Sequence, residues 1–100
     1  MVRHVILWKL KDELSGKDEA RVKAAIKEGL EGLVGQVPGL KEIRVQTECL
    51  SSSNADLMLD SVFEDAASLK AYAVHPAHVA VADGIVRPNV AQRICMDYEM

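Results

Sequence analysis

The sequence predicts an α+β domain: an open antiparallel sheet with helices on one face. Three observations lead there. The hydrophobic periodicity reads β-α-β-β-α-β, the first strand is apolar on both faces, and 100 residues hold a single core.

Residues Val2 to Leu10 alternate as a strand. Val2, His4, Ile6, Trp8 and Leu10 share one face, and Val5 and Leu7 the other. Both faces are apolar at mid-strand, as in a central strand covered on both sides. The chain then turns, and Ser15 followed by Asp18 resembles a capping box with Asp where Glu or Gln is usual. From Lys17 to about Gly35, Val22, Ala25, Ile26, Leu30, Leu33 and Val34 recur at helical spacing. Lys23, Lys27, Glu28 and Glu31 lie on the wet side, and Gly35 and Pro38 end the helix. Leu40 to Cys49 alternates through Ile43, Val45 and Thr47 as a second strand, and Asp56 to Phe63 forms the third. Between them, residues 51–54 read as a loop. A second helix runs from about Asp65 to Val74. His75 precedes a proline and is driven out of the α region, while Pro76 suits the first position of a new helix. That short helix extends to Ile85 or Val86, before Pro88, and Val90 to Tyr98 is the last strand.

With right-handed crossovers this order is the split βαβ, or ferredoxin-like, arrangement with strand order 4-1-3-2. Helices cover one sheet face. The other, carrying Val5 and Leu7, is bare in a monomer. A chain that is 49% apolar has more greasy surface than so small a core buries. A second copy packed sheet to sheet, giving a homodimeric α/β barrel, is the expected cover.

The net charge of −3, with scattered Lys and Arg and 4% aromatic residues, excludes nucleic acid as the expected partner. No apolar run approaches the roughly 20 residues that span a bilayer, and the short run from Val5 to Trp8 is no signal-peptide core. A cytoplasmic protein without membrane contact is expected. Cys49 and Cys95 are too few for a disulfide framework or a zinc motif. They fall on strands at opposite sheet edges and are expected as two small buried thiols, with a contact across a subunit interface as the alternative. Asp56 and Asp60 share a strand face and read as solvated rather than as an acid/base pair.

One candidate pocket stands out, between sheet and helices, built from His4, Trp8, Tyr72, His75 and His78. His4 and Tyr72 meet only if the even-numbered face of the first strand points at the helices. His78 falls in the first turn of the short helix, where the helix dipole disfavours a charged imidazole. A neutral imidazole is what a general base requires, and the Tyr72 phenol can donate to a carbonyl oxygen or an enolate. Packing roles compete with each assignment: His4 as a satisfied buried group, His75 as a helix cap, His78 as a half-exposed helix residue, Tyr72 as core. The three histidines do not compose a zinc site, because no acidic or cysteine partner is fixed beside them and Pro76 holds His75 apart. No resident cofactor is expected.

The segments Arg3-His4-Val5-Ile6-Leu7-Trp8-Lys9-Leu10-Lys11, Val37-Pro38-Gly39-Leu40 and Tyr72-Ala73-Val74-His75-Pro76-Ala77-His78 resemble the stress-responsive dimeric A/B barrel (Dabb) family. The likeness spans essentially the whole chain, and its most specific part is the His-Pro-x-His element with the first-strand histidine. It implies two ferredoxin-like subunits packed sheet to sheet. It does not imply one function. Members include stress-induced proteins and a polyketide cyclase, olivetolic acid cyclase, in which residues matching Tyr72 and His78 line the site. That enzyme has a further histidine on the third strand, where this sequence has Leu57. Some relatives hold a cation at the turn after the first helix, and the carbonyls of Val34, Val37 and Leu40 occupy the matching positions. A structural magnesium or sodium ion is what that resemblance implies. Three functions follow as expectations: binding of a mostly apolar carbonyl or phenolic ligand, cyclase or isomerase chemistry with His78 as base and Tyr72 as donor, or a structural stress protein without catalysis.

Overall fold

Alternation along the first strand sets the layout. Val2, His4, Ile6, Trp8 and Leu10 are all buried, whereas Val5 and Leu7 on the other side are not. The computed structural model describes residues 1–100. Its elements are β1 (Val2–Leu10), α1 (Gly16–Glu31), β2 (Leu40–Gln46), β3 (Leu57–Phe63), α2 (Ala66–Val74), α3 (Pro76–Val81) and β4 (Val90–Glu99). A π-helical turn (Ala82–Val86) and a 3₁₀ turn (Arg87–Asn89) connect α3 to β4. The sheet is antiparallel with order β2-β3-β1-β4, the expected ferredoxin-like arrangement, and β1 is central.

The core lies between the sheet and the helix layer. Ile26 and Leu30 of α1, Leu33 just beyond it and Tyr72 of α2 share one buried cluster with Ile6, Trp8, Val45, Leu57, Leu59 and Phe63. Fully burying side chains of this size stabilises by about 1.5–3 kcal/mol each. The Ser61 hydroxyl, also buried, donates to the His4 carbonyl at 2.9 Å, so it carries no unpaired donor inside.

Several boundaries differ from the sequence reading. Helix α1 stops at Glu31 rather than Gly35. The Gly32 amide closes on the Glu28 carbonyl at 3.1 Å, and the chain then turns through Gly35 and Gly39, both at positive φ. Ser15 makes no side-chain cap; its hydroxyl instead donates to the Asp18 carboxylate at 3.4 Å. Asp lacks the methylene that lets Glu or Gln reach back to a cap amide. Asp65 does cap α2, accepting from the Ser68 amide at 2.8 Å. Strand β2 ends at Gln46 because β3 begins only at Leu57, which leaves Cys49 exposed in the connecting loop. Asp56 is half-buried rather than simply solvated: its carboxylate accepts from the Leu10 amide at 2.8 Å, and its own amide donates to the Trp8 carbonyl at 2.9 Å. Asp60 pairs with Arg3 at 2.7 Å.

The helix layer is also narrower than the sheet. On the helix side of β4, Arg93, Cys95 and Asp97 stand opposite Trp8, Ile6 and His4, yet all three are exposed. On the other side, Ile94 and Met96 flank Leu7 and Val5 and are 66% and 67% exposed. Thus β4 is uncovered on both faces, and each uncovered side has a different consequence.

Gly35 and Gly39 offer a matched test of the turn. An alanine at either place meets the left-handed penalty of about 1–2 kcal/mol. At Gly39 its Cβ would also stand 2.2 Å from Ser68 Oγ, whereas nothing lies within 4 Å at Gly35. Urea titration of both variants should show Gly39→Ala as the larger loss; equal midpoints would refute the close approach of α2 to this turn.

Candidate functional site

Because the helices stop short of β4, a cleft of about 880 Å³ opens between them and the sheet. Its floor carries His4, Ile6 and Trp8 from β1 and Arg93, Cys95 and Asp97 from β4, while Tyr72 and His78 face it from the helices.

Tyr72 sits on α2, 2% exposed, with its ring tilted against Phe63 at a centroid distance of 4.9 Å. Its hydroxyl is buried and makes no hydrogen bond to the protein. Leaving such a group unpaired costs about 1–3 kcal/mol. Burial pushes the phenol well above its ordinary range, with Arg93 opposing only weakly. The group therefore remains a neutral donor.

His78 lies on α3 with its ring stacked on Tyr72, 4.1 Å between centroids and 34° between planes. Its Nδ1 is 3.3 Å from the Ala73 carbonyl oxygen. A carbonyl only accepts, so Nδ1 carries the proton and Nε2 keeps its lone pair. Burial lowers the imidazole pKa, the Ala73 hydrogen bond opposes this, and His4, Arg87 and Arg93 add to the lowering. Neutrality thus comes from desolvation. The helix dipole adds little, since α3 spans only six residues.

His75 takes the extended conformation expected before proline, and its Nδ1 accepts from the Ala77 amide at 3.1 Å. It caps α3 and does not line the cleft. The other proposed members, His4, Trp8, Tyr72 and His78, do. Val34 and Val37 lie on the turn after α1 and Leu40 opens β2, all outside the cleft; the Val37 carbonyl accepts from the Leu40 amide at 3.3 Å.

Two functional candidates escaped the sequence reading. His4 Nδ1 pairs with the Asp97 carboxylate, and Cys95 Sγ lies 3.7 Å from the same nitrogen. His4 therefore does have an acidic and a cysteine partner, contrary to the expectation from the sequence. The expectation of buried thiols also fails: Cys49 and Cys95 are both free and exposed. The available signal was the β1–β4 pairing, which sets His4 directly opposite Asp97.

The model of the stress responsive A/B barrel domain matches residues 2–100. The chain belongs to that family. An uncharacterized protein of Streptomyces coelicolor is 38% identical over 81 residues, 80% of this chain and 81% of that one. A crystal structure of a dimeric ferredoxin-like protein of unknown function from Bacteroides fragilis superimposes with a TM-score of 0.92 at 30% identity, covering 99% of this chain and 95% of that one. A dimeric ferredoxin-like protein from Thermobifida fusca, 23% identical, shares the fold with a TM-score of 0.79 over 99% and 90% of the two chains. This A/B barrel protein has no helix long and apolar enough to cross a membrane.

Tyr72→Phe separates a packing role from a site role. Removing a buried, unpartnered hydroxyl should leave the melting temperature unchanged or raised, by up to about 1–3 kcal/mol of stability. A clear loss of stability on calorimetry would show that the hydroxyl holds the fold together instead.

Proposed function

We propose that this protein binds a small, mostly apolar carbonyl or phenolic compound in the cleft between sheet and helices. The observation that carries this reading is the pairing of Tyr72 and His78. One offers a buried donor with no protein partner, and the other an imidazole anchored at Nδ1 with Nε2 free. A ligand oxygen beside the phenol satisfies a group that folding left unpaired. Ile6, Trp8 and Val86 supply the apolar wall such a compound needs.

A second reading, a cyclase- or isomerase-like enzyme, draws support from the same imidazole. A neutral, oriented His78 can remove a proton next to a carbonyl while Tyr72 donates to the enolate oxygen that forms. Deuterium exchange at the α-carbon of an aromatic β-keto compound, followed by NMR, tests both readings. Binding with exchange that vanishes in His78→Ala supports the enzyme; binding without exchange supports a ligand carrier. Absence of binding to the whole ligand class would sink both. Because the His78 pKa lies below 6.5, the imidazole stays neutral to lower pH than a free one. Exchange should fall as pH drops, with a midpoint under 6.5. Stability follows the same sign: the unfolded imidazole takes up its proton first, so this contribution is whole above about 6.5 and is lost below.

The reading extends to assembly. The uncovered face holding Val5, Leu7, Ile94 and Met96 packs against the same face of a second copy. The dimeric relatives support this arrangement. Light scattering at micromolar concentration should give twice the chain mass, and Met96→Glu should weaken association by at least about tenfold, since a buried charge costs several kcal/mol. A folded parent monomer under those conditions would overturn the dimer.

A further inference from the structure

The cluster on the cleft floor takes no part in the Tyr72–His78 chemistry, and its composition calls for its own account. We propose that His4 Nδ1, Cys95 Sγ and an Asp97 carboxylate oxygen form a binding site for a zinc-like transition-metal ion, with a fourth coordination position open to the cleft.

Placement is the first support. His4 and Asp97 are directly paired across β1 and β4, and Cys95 is opposite Ile6, one step along the same sheet face. All three ligands therefore stand on hydrogen-bonded strands rather than on loops, which favours a fixed geometry. The second support is distance. The three donor atoms lie within 4.8 Å of one another. Cys95 Sγ is 3.7 Å from His4 Nδ1 and 3.5 Å from Asp97 Oδ1. Zinc bonds of about 2.3 Å to sulfur and about 2.0 Å to nitrogen or oxygen imply tetrahedral edges of roughly 3.5 Å. Only the His4–Asp97 contact, now a hydrogen bond, has to open for an ion to enter.

Ligand chemistry narrows the metal. Imidazole, thiolate and carboxylate together suit zinc and its neighbours and not magnesium or calcium, which take oxygen. Thiolate and carboxylate balance the two positive charges of the ion, with the imidazole neutral. On binding, Cys95 releases its thiol proton to solvent, and the His4 proton facing Asp97 moves to Nε2, so the ring stays uncharged. Three protein ligands with one free position is the pattern of catalytic rather than structural zinc. Access is open, because Cys95 is exposed and the Asp97 side chain is 42% exposed, while His4 is held in the interior. The cluster lies on the helix side of the sheet, so a dimer formed through the opposite face leaves it free.

The test uses the full chain, stripped with chelator and titrated with cobalt(II) and then zinc(II). One equivalent of cobalt per chain should produce a near-ultraviolet sulfur-to-metal charge-transfer band, and zinc should displace it. Cys95→Ser should abolish the band with the circular dichroism spectrum unchanged, and Cys49→Ser should leave it intact. Asp97→Asn should weaken zinc binding by at least about 100-fold, a loss that even outer-shell partners reach. Failure to bind a stoichiometric ion overturns the site, and so does a band that survives Cys95→Ser or disappears in Cys49→Ser.

Discussion

Strand β1 runs through the middle of the sheet, hydrogen-bonded to β3 on one side and β4 on the other. A slip of one residue in either pairing would exchange its faces and turn Val5 and Leu7 inward in place of Ile6 and Trp8. The shared core holds that register, because Ile6, Trp8 and Leu10 are buried in one cluster with Ile26 and Leu30 of α1. His4 belongs to the same face and is carried into the interior with them. Its burial, and its polar partners, follow from the register that buries its apolar neighbours.

The limited reach of the helix layer then converts a fold into a site. Had the helices covered β4, Arg93, Cys95 and Asp97 would be buried polar groups needing full compensation. Left open, they remain hydrated and line a cleft whose opposite wall is the Tyr72–His78 stack. The walls differ in character. The helix wall offers one buried donor and one neutral acceptor, whereas the strand wall offers acidic and thiol groups beside His4 and the cation of Arg93.

On the reverse face the same strand pairing has the opposite outcome. Leu7, Ile94 and Met96 form an exposed apolar surface, with Val5 paired to Met96 beside them. Surfaces of this kind are uncommon on isolated domains. The apolar surface and the cleft thus lie on opposite faces of one sheet.

Much of this was legible in the residues. The alternation of β1, the helical spacing of Val22 to Leu33, and the break at His75-Pro76 are local patterns, fixed by backbone geometry and by the faces each element must bury. Strand order followed from them, and so did the meeting of His4, Trp8, Tyr72 and His78 in one cleft. What the chain could not disclose by itself was the detail of partners far apart in sequence. His4 and Asp97 are 93 residues apart, and their contact depends on strand register. The unpaired Tyr72 hydroxyl, the desolvation that keeps His78 neutral and the cap made by His75 depend on how helices dock. Local pattern decides which way a side chain faces; only the assembled layers decide what it meets there.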